Sequence, residues 1–235
     1  MGNLVTAKNL CLAYPAPSQG IRNLLSKPEP MPLALNNINF TLDPGERLAL
    51  VGLNGSGKST LLRTIAGIYP PKSGSLTVNG SVVALFNMGV GMRMDLSGRE
   101  NIFLQGLAHG KNPKDMENIA PEVIDFSELS DVIDDPIRTY SQGMAMRLSF
   151  GIATALSPEV LLLDEWIGAG DRVFRAKADA RLAKMVEESK GFILASHNVH
   201  IVRRYCTKAM WLDKGKVLAD GDIETVLKAF TEATS

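Results

Sequence analysis

The sequence predicts an α/β protein with a mostly parallel β-sheet core, a β-rich N-terminal region and an inserted lobe of α-helices. Three observations carry this. Apolar runs such as Leu48–Val51, Val160–Leu163 and Phe192–Ala195 are continuous rather than alternating, as in strands covered on both faces. A glycine-rich stretch, Gly52 to Thr60, stands directly between one such run and a helical segment. The element order is also uneven. Strands come first, then an almost purely helical block from about Gly98 to Leu156, then alternation again, the pattern of a parallel core with a helical insertion.

Taken in order, strands are predicted at Leu4–Tyr14, Leu35–Leu42, Arg47–Val51, Ser75–Val78, Val82–Phe86, Val160–Leu163, Phe192–Ala195, Ala209–Leu212 and Lys216–Ala219. Helices are predicted at Lys58–Gly67, Gly98–His109, Pro113–Leu129, Gln142–Leu156, Arg172–Ser189, Val199–Cys206 and Ile223–Glu232. Ser97 and Glu100 have the S-x-x-E spacing of a capping box, in which side chain and backbone satisfy each other at a helix start. Between the first two strands, Tyr14–Pro32 holds Pro15, Pro17, Pro28, Pro30 and Pro32. Proline removes a donor and fixes φ, so a long loop is expected there. No internal repeat or low-complexity segment interrupts the chain.

With 235 residues, the chain is long enough for one domain with a substantial core. Lys plus Arg equals Asp plus Glu at 25 each, so bulk charge gives no pull toward nucleic acid, and none is expected as a partner. Cys11 and Cys206 form no C-x-x-C pattern and read as buried small hydrophobes in a reducing compartment. No apolar run is long enough to span a bilayer. The start, M-G-N-L-V-T, lacks the basic and apolar regions of a signal peptide. It matches a myristoylation pattern by letter but reads as the lead-in to a strand. The N-G-S triplets at Asn54 and Asn79 are glycosylation sequons by letter only.

The stretch Gly52-Leu53-Asn54-Gly55-Ser56-Gly57-Lys58-Ser59, followed by Thr60, matches G-x-x-x-x-G-K-[ST] in full. Glycines let the backbone bend until successive N–H groups point at phosphate oxygens. The helix start adds roughly half a positive charge. Lys58 is placed to reach the β- and γ-phosphates and Ser59 to hold Mg²⁺. An ordinary Gly-rich turn would not need all of these residues in a strand–turn–helix setting.

A second signal is Val160-Leu161-Leu162-Leu163-Asp164-Glu165, a buried run ending in two carboxylates. Asp164 suits a metal ion beside phosphates. Glu165, one step on, suits the polarisation of an attacking water. His197 ends the run Phe192–Ser196 on the edge of the sheet where ligands of open α/β sheets gather. It could sense the γ-phosphate or orient the water. A third signal is T-Y-S-Q-G-M-A-M-R at 139–147. There Ser141 and Gly143 open an apolar helix with the chemistry of a second anion cradle.

These pieces, in this order, resemble the nucleotide-binding subunit of ABC transporters over nearly the whole chain. The matching elements are Tyr14 before the core, G-L-N-G-S-G-K-S-T, Y-S-Q-G-M, L-L-L-D-E, G-A-G-D and A-S-H. The stretches G-V-G-M, D-L-S-G-R-E-N-I, T-Y-S-Q-G-M-A-M-R-L-S-F-G-I-A-T-A and D-E-W-I-G-A-G-D resemble the branch that exports polysaccharides: O-antigen, capsule and teichoic acid. The resemblance implies one ABC ATPase domain over 1–235, with a RecA-like core at about 1–87 and 158–235 and a helical lobe at about 88–157. It also implies that the N-terminal β region is antiparallel. Two copies would face each other head to tail, so that the Ser141–Gly143 signature of one caps the ATP held by the other. Tyr14 would stack on adenine, and Asp171 would communicate across the dimer. ATP and Mg²⁺ are the implied cofactors. A membrane transporter subunit is the implied partner, holding this chain on the cytoplasmic face of the plasma membrane.

The sequence departs from the family at the usual metal-binding glutamine. Asn87, in Leu85-Phe86-Asn87-Met88-Gly89, is the nearest amide and one methylene shorter. Gln142 and Met144 also differ from the common L-S-G-G-Q signature, which points to slow turnover. Met88, Met92, Met94, Met116, Met144 and Met146 fall in or near the lobe, either as core filling or as an adaptable surface for a partner helix. With no carbohydrate-binding extension before Ser235, cargo choice is expected to rest with the membrane partner. The competing readings are a transporter of another cargo, a soluble ABC ATPase, a small-molecule kinase and a regulatory module with a dead site.

Overall fold

The structure, a computed structural model, describes residues 2–14, 32–86, 89, 91–165 and 172–234. It divides into two compact units, Met1–Gly80 with Gly191–Ser235, and Ser81–Lys190.

In the first unit, β1 (Val5–Ala13), β2 (Leu33–Leu42) and β4 (Ser73–Val78) form an antiparallel sheet with β1 in the middle. Alternate residues Val5, Ala7, Leu10 and Leu12 of β1 are buried. The alternation slips where Asn9 takes a left-handed φ of 48° and the register shifts, the mark of a bulge. A second sheet is built on β3 (Arg47–Val51). It pairs in parallel with β7 (Gly191–Ala195) on one side and β8 (Lys208–Asp213) on the other. β9 (Lys216–Asp222) closes against β8 as an antiparallel hairpin. β7 is buried at every position, which is why its sequence is a continuous apolar run. Helix α1 (Lys58–Ile65) packs against β7 and β2, and α7 (Ile223–Thr234) against β8 and β9. The short α6 (Val199–Tyr205) is capped by the side chain of Asn198.

The second unit holds the parallel pair β5 (Val82–Ala84) and β6 (Val160–Asp164). Its helices are α2 (Gly98–Ala108), α3 (Pro113–Ser127), α4 (Gln142–Ala155) and α5 (Arg172–Glu188). The expected capping box is present at α2: Glu100 N–H donates to Ser97 Oγ at 3.2 Å and Ser97 N–H to Glu100 Oε2 at 2.8 Å. Asn112 and Asp115 make a second box at α3. Ile102, Met116, Val123, Ile133, Ile137, Leu148 and Ile152 form the apolar core of this helical cluster. Phe126, Phe150 and Phe174 make a second packing centre, with ring centroids 5.5–6.3 Å apart.

The methionines differ in burial. Met116 is fully buried, and Met92 and Met144 pack on the helical core. Met94 is 54% exposed, and Met88 lies outside the described residues. The cysteines also differ. Cys206 is buried, and burial pushes its thiol up to about 12. Cys11 is only half-buried, with its sulfur accepting from Asn37 N–H at 3.2 Å. Of the proline-rich connection, residues 15–31 lie outside the described part of the chain.

Candidate phosphate-binding site

The glycine-rich loop leaves the C-terminal end of β3 and enters α1, as the sequence predicts. Two glycines show why no larger residue fits. Gly52 has φ 149°, and a Cβ there would sit 2.2 Å from Leu212 O and 2.7 Å from Ser56 Oγ. Gly57, the N-cap of α1, has a left-handed φ of 109°. Gly57 brings no side chain to cap α1, and the helix has no acidic residue in its first turn. Its positive end is therefore available to an anion. Ser56 is 2% exposed, and its Oγ has no hydrogen-bond partner among the described residues. Its backbone is engaged, donating to Leu53 O at 3.1 Å and accepting from Gly215 N–H at 2.8 Å. Lys58 Nζ donates to Gly52 O at 2.7 Å and Leu53 O at 3.1 Å. The ammonium thus sits on the loop's own carbonyls. Ser59, next in α1, is half-buried.

The same unit carries two more candidates. Parallel register sets Leu50 of β3 opposite Ala195 of β7, so Gly52 and His197 emerge at the same end of neighbouring strands. Ser196 N–H reaches Leu50 O at 3.4 Å, while His197 is exposed. Tyr14, just past the end of β1, places its hydroxyl 2.6 Å from Thr60 Oγ1.

In the second unit, Asp164 ends β6 and is half-buried, as is Glu165. Glu165 has a left-handed φ of 67°, a conformation costly for a side chain with a Cβ and concentrated at functional sites. β5 stops at Ala84, opposite Leu162 and short of the end of β6 at Asp164, and Leu85 N–H still donates to Leu162 O at 3.0 Å. Asn87, two residues further on, lies outside the described residues, as does Asp171. Ser141 is the N-cap of α4: Met144 N–H donates to its Oγ at 3.2 Å. Ser141, Gln142 and Gly143 are all exposed. A Cβ at Gly143 would meet only Ser141 Oγ, at 3.9 Å, so this helix start is open to an approaching group. Tyr69 escaped the sequence reading. It contacts Tyr14, 55 positions earlier in the chain, and no local pattern marks it.

Fold and loop together define a phosphate-loop nucleotide-binding protein of the α/β class. The ABC transporter family matches residues 35–168, more than half of the chain, and this protein belongs to that family.

The chain is 42% identical over 202 residues to the O-antigen export system ATP-binding protein RfbB of Myxococcus xanthus, covering 86% of this chain and 46% of that protein. It is 41% identical over 225 residues to the O-antigen export system ATP-binding protein RfbE of Yersinia enterocolitica, covering 89% and 94%. It is 40% identical over 199 residues to the teichoic acids export ATP-binding protein TagH of Bacillus anthracis, covering 85% and 36%. The chain therefore spans less than half of the Myxococcus and Bacillus relatives and nearly all of the Yersinia one. A solved ATP-binding subunit of an ABC transporter has the same fold, with a TM-score of 0.76 at 24% identity, covering 97% of this chain and 93% of that one. So does a dimeric ATP-binding cassette bound to ADP and Pi, at 0.70 and 22%, covering 93% and 98%. Among the described residues, no helix is long and apolar enough to cross a membrane.

Proposed function

We propose that this chain binds and hydrolyses ATP as the ATP-binding subunit of an exporter of a lipid-linked polysaccharide of O-antigen, capsule or teichoic-acid type. It acts on the cytoplasmic face of the membrane, in a head-to-tail pair, held there by an integral-membrane partner. The whole of 1–235 is read as one such ATPase domain. The observation that carries the reading is the loop at Gly52–Thr60. Its bend leaves room for nothing larger than glycine at position 52, its helix start lacks a side-chain cap, and Ser56 Oγ is buried without a partner among the described residues. Each of these fits a bound triphosphate. The names of the relatives support the cargo class.

In this mechanism backbone N–H groups of the Asn54–Thr60 loop other than that of Ser56, which is held by Leu53 O, hold the phosphates in place. Lys58 exchanges the carbonyls of Gly52 and Leu53 for phosphate oxygens and neutralises their charge. Ser59 and Asp164, with Asn87 as a third candidate, would hold Mg²⁺, which supplies further neutralisation of the phosphates. Glu165 polarises the attacking water and accepts its proton, a role worth about 10²–10⁴-fold. His197 orients that water. Ser141 already accepts Met144 N–H, which leaves its hydroxyl proton to donate to the triphosphate held by the other copy. Gly143 lets that triphosphate approach, and Asp171 links the two copies. Little covalent chemistry is asked of the protein; positioning and charge neutralisation do most of the work.

The test is Glu165→Gln. Turnover is expected to fall by about 100-fold or more while ATP binding is kept. The ATP-loaded variant is expected to elute as a dimer and to stop surface-glycan export in cells. Hydrolysis at the parent rate would remove the assignment of Glu165. Intact glycan export in a strain whose only copy carries the variant would remove the cargo.

A further inference from the structure

Tyr14 and Tyr69 are far apart in sequence, and the fold brings their rings together edge to face. Their centroids lie 5.5 Å apart at an interplanar angle of 89°. Tyr14 is also held through its hydroxyl by Thr60 Oγ1 at 2.6 Å. Thr60 is a firm anchor: it is 8% exposed, and its carbonyl accepts from Thr64 Oγ1 at 2.8 Å, within α1. The end of β1 is thus held at two points, by the first turn of α1 and by the segment just after that helix. Even so, Tyr14 remains 43% exposed.

A large aromatic ring that is tethered at both ends and still open to solvent is arranged to receive something flat. Left alone, a tyrosine at a strand end samples several rotamers, and binding would have to order it. Here the Thr60 hydrogen bond and the Tyr69 ring do that ordering in advance. The hydroxyl, engaged by Thr60, is committed to holding the ring; what the ring offers a ligand is its π-surface. Thr60 directly follows Ser59 in the phosphate loop, so one hydrogen bond fixes the ring relative to the phosphate site.

We propose that Tyr69 is a positioning residue which, with Thr60, holds the Tyr14 ring as a preformed stacking platform for the base of the bound nucleotide. This rests on the nucleotide reading of the Gly52–Thr60 loop. Tyr69 touches no nucleotide; it acts through Tyr14. Its own hydroxyl has no part in this, so a phenylalanine should serve as well.

The experiment compares ATP with inorganic tripolyphosphate, which has the phosphates but no base. Binding of each is titrated on the full chain for the parent, Tyr69→Ala and Tyr69→Phe, alongside steady-state hydrolysis. Tyr69→Ala is expected to weaken ATP binding and raise KM by about three- to tenfold, with kcat and tripolyphosphate binding unchanged. Tyr69→Phe is expected to behave as the parent. If circular dichroism shows Tyr69→Ala to be unfolded, Tyr69→Leu takes its place with the same expectation. Parent-like ATP binding by the alanine or leucine variant would overturn the proposal. So would an equal loss of ATP and tripolyphosphate, which would mark general damage to the loop. A parent chain that binds tripolyphosphate but gains nothing from the base would overturn it while leaving the phosphate site standing. A parent that binds neither would sink the nucleotide reading and this inference with it.

Discussion

Asn101 illustrates how much one residue can hold. It has no exposed surface. Its Oδ1 accepts from Arg93 N–H at 2.7 Å, and its Nδ2 faces the carbonyls of Arg93, Leu96 and Ser97 at 2.9–3.3 Å. It therefore stitches the 93–97 turn to α2. Asn101→Ala would leave several buried backbone groups without partners, and is expected to cost about 2–4 kcal/mol, read as a lower urea midpoint. Asn101→Asp should do no better at neutral pH, because a carboxylate has nothing to donate to three carbonyls. An unchanged midpoint for either variant would contradict this. Its partners all lie four to eight residues before it, in the D-L-S-G-R-E-N-I stretch and the turn ahead of it, but its complete burial comes from the fold around them. Glu165 is a second such case. Its type and place were legible at the end of an apolar run, whereas its left-handed backbone was not. Glu165→Gln keeps that backbone, so the turnover it loses reports on the carboxylate alone.

At the level of elements, helix starts were the most legible features, because a cap is a conversation between residues three apart. The box at α2 was read from Ser97 and Glu100. The start of α4 is built in the same way, except that Met144 sulfur stands where an acid is usual, 3.5 Å from Ser141 N–H. That substitution keeps a negative charge away from the open helix start. Helix α3 contains an exposed proline, Pro121. Inside a helix, proline removes one hydrogen bond and crowds the preceding turn. Pro121→Ala is therefore expected to stabilise the protein by about 1–2 kcal/mol, the gain being reduced by a more flexible unfolded chain. A thermal melt that moves down, or does not move, would show that α3 has adapted to its proline. Strand ends were less legible. β5 is predicted to reach Phe86 and stops at Ala84, although β6 runs on to Asp164 and Leu85 N–H still donates to Leu162 O; where a ladder ends is not written locally.

Over the whole molecule, several carboxylates share one electrostatic bias. Burial pushes Glu46 up, but the Asp43 backbone N–H and the Lys208 ammonium outweigh it, so its carboxyl lies below the ordinary 4.5. Asp134, beside Arg99, lies below the ordinary 3.8. Glu159 is lowered by Lys190 and the Ser81 N–H, and Glu100 by the N-cap at Ser97. In each case the folded state binds the proton less tightly than the unfolded chain. The stability they add is thus present above the unfolded values near 4.5 and 3.8 and is lost as pH falls through the folded ones. Unfolding midpoints are expected to hold from neutrality to about pH 5 and to drop below it. Midpoints that stay flat or rise between about pH 5 and pH 3 would mean these pairs contribute nothing.

By itself the sequence determined what neighbouring residues can decide: the continuous apolar strands, the capped helices, the glycine loop with Lys58 and Ser59, and the family those motifs belong to. Each depends on residues within one or two turns of one another, where geometry is nearly dictated by residue type. Only the tertiary structure decided which methionines are core, that Asn101 is buried among carbonyls, and that Tyr14 rests on Thr60 and Tyr69. The methionine and tyrosine contacts join segments tens of residues apart, and the burial of Asn101, whose carbonyl partners lie only four to eight residues away, likewise exists only once the chain has closed on itself.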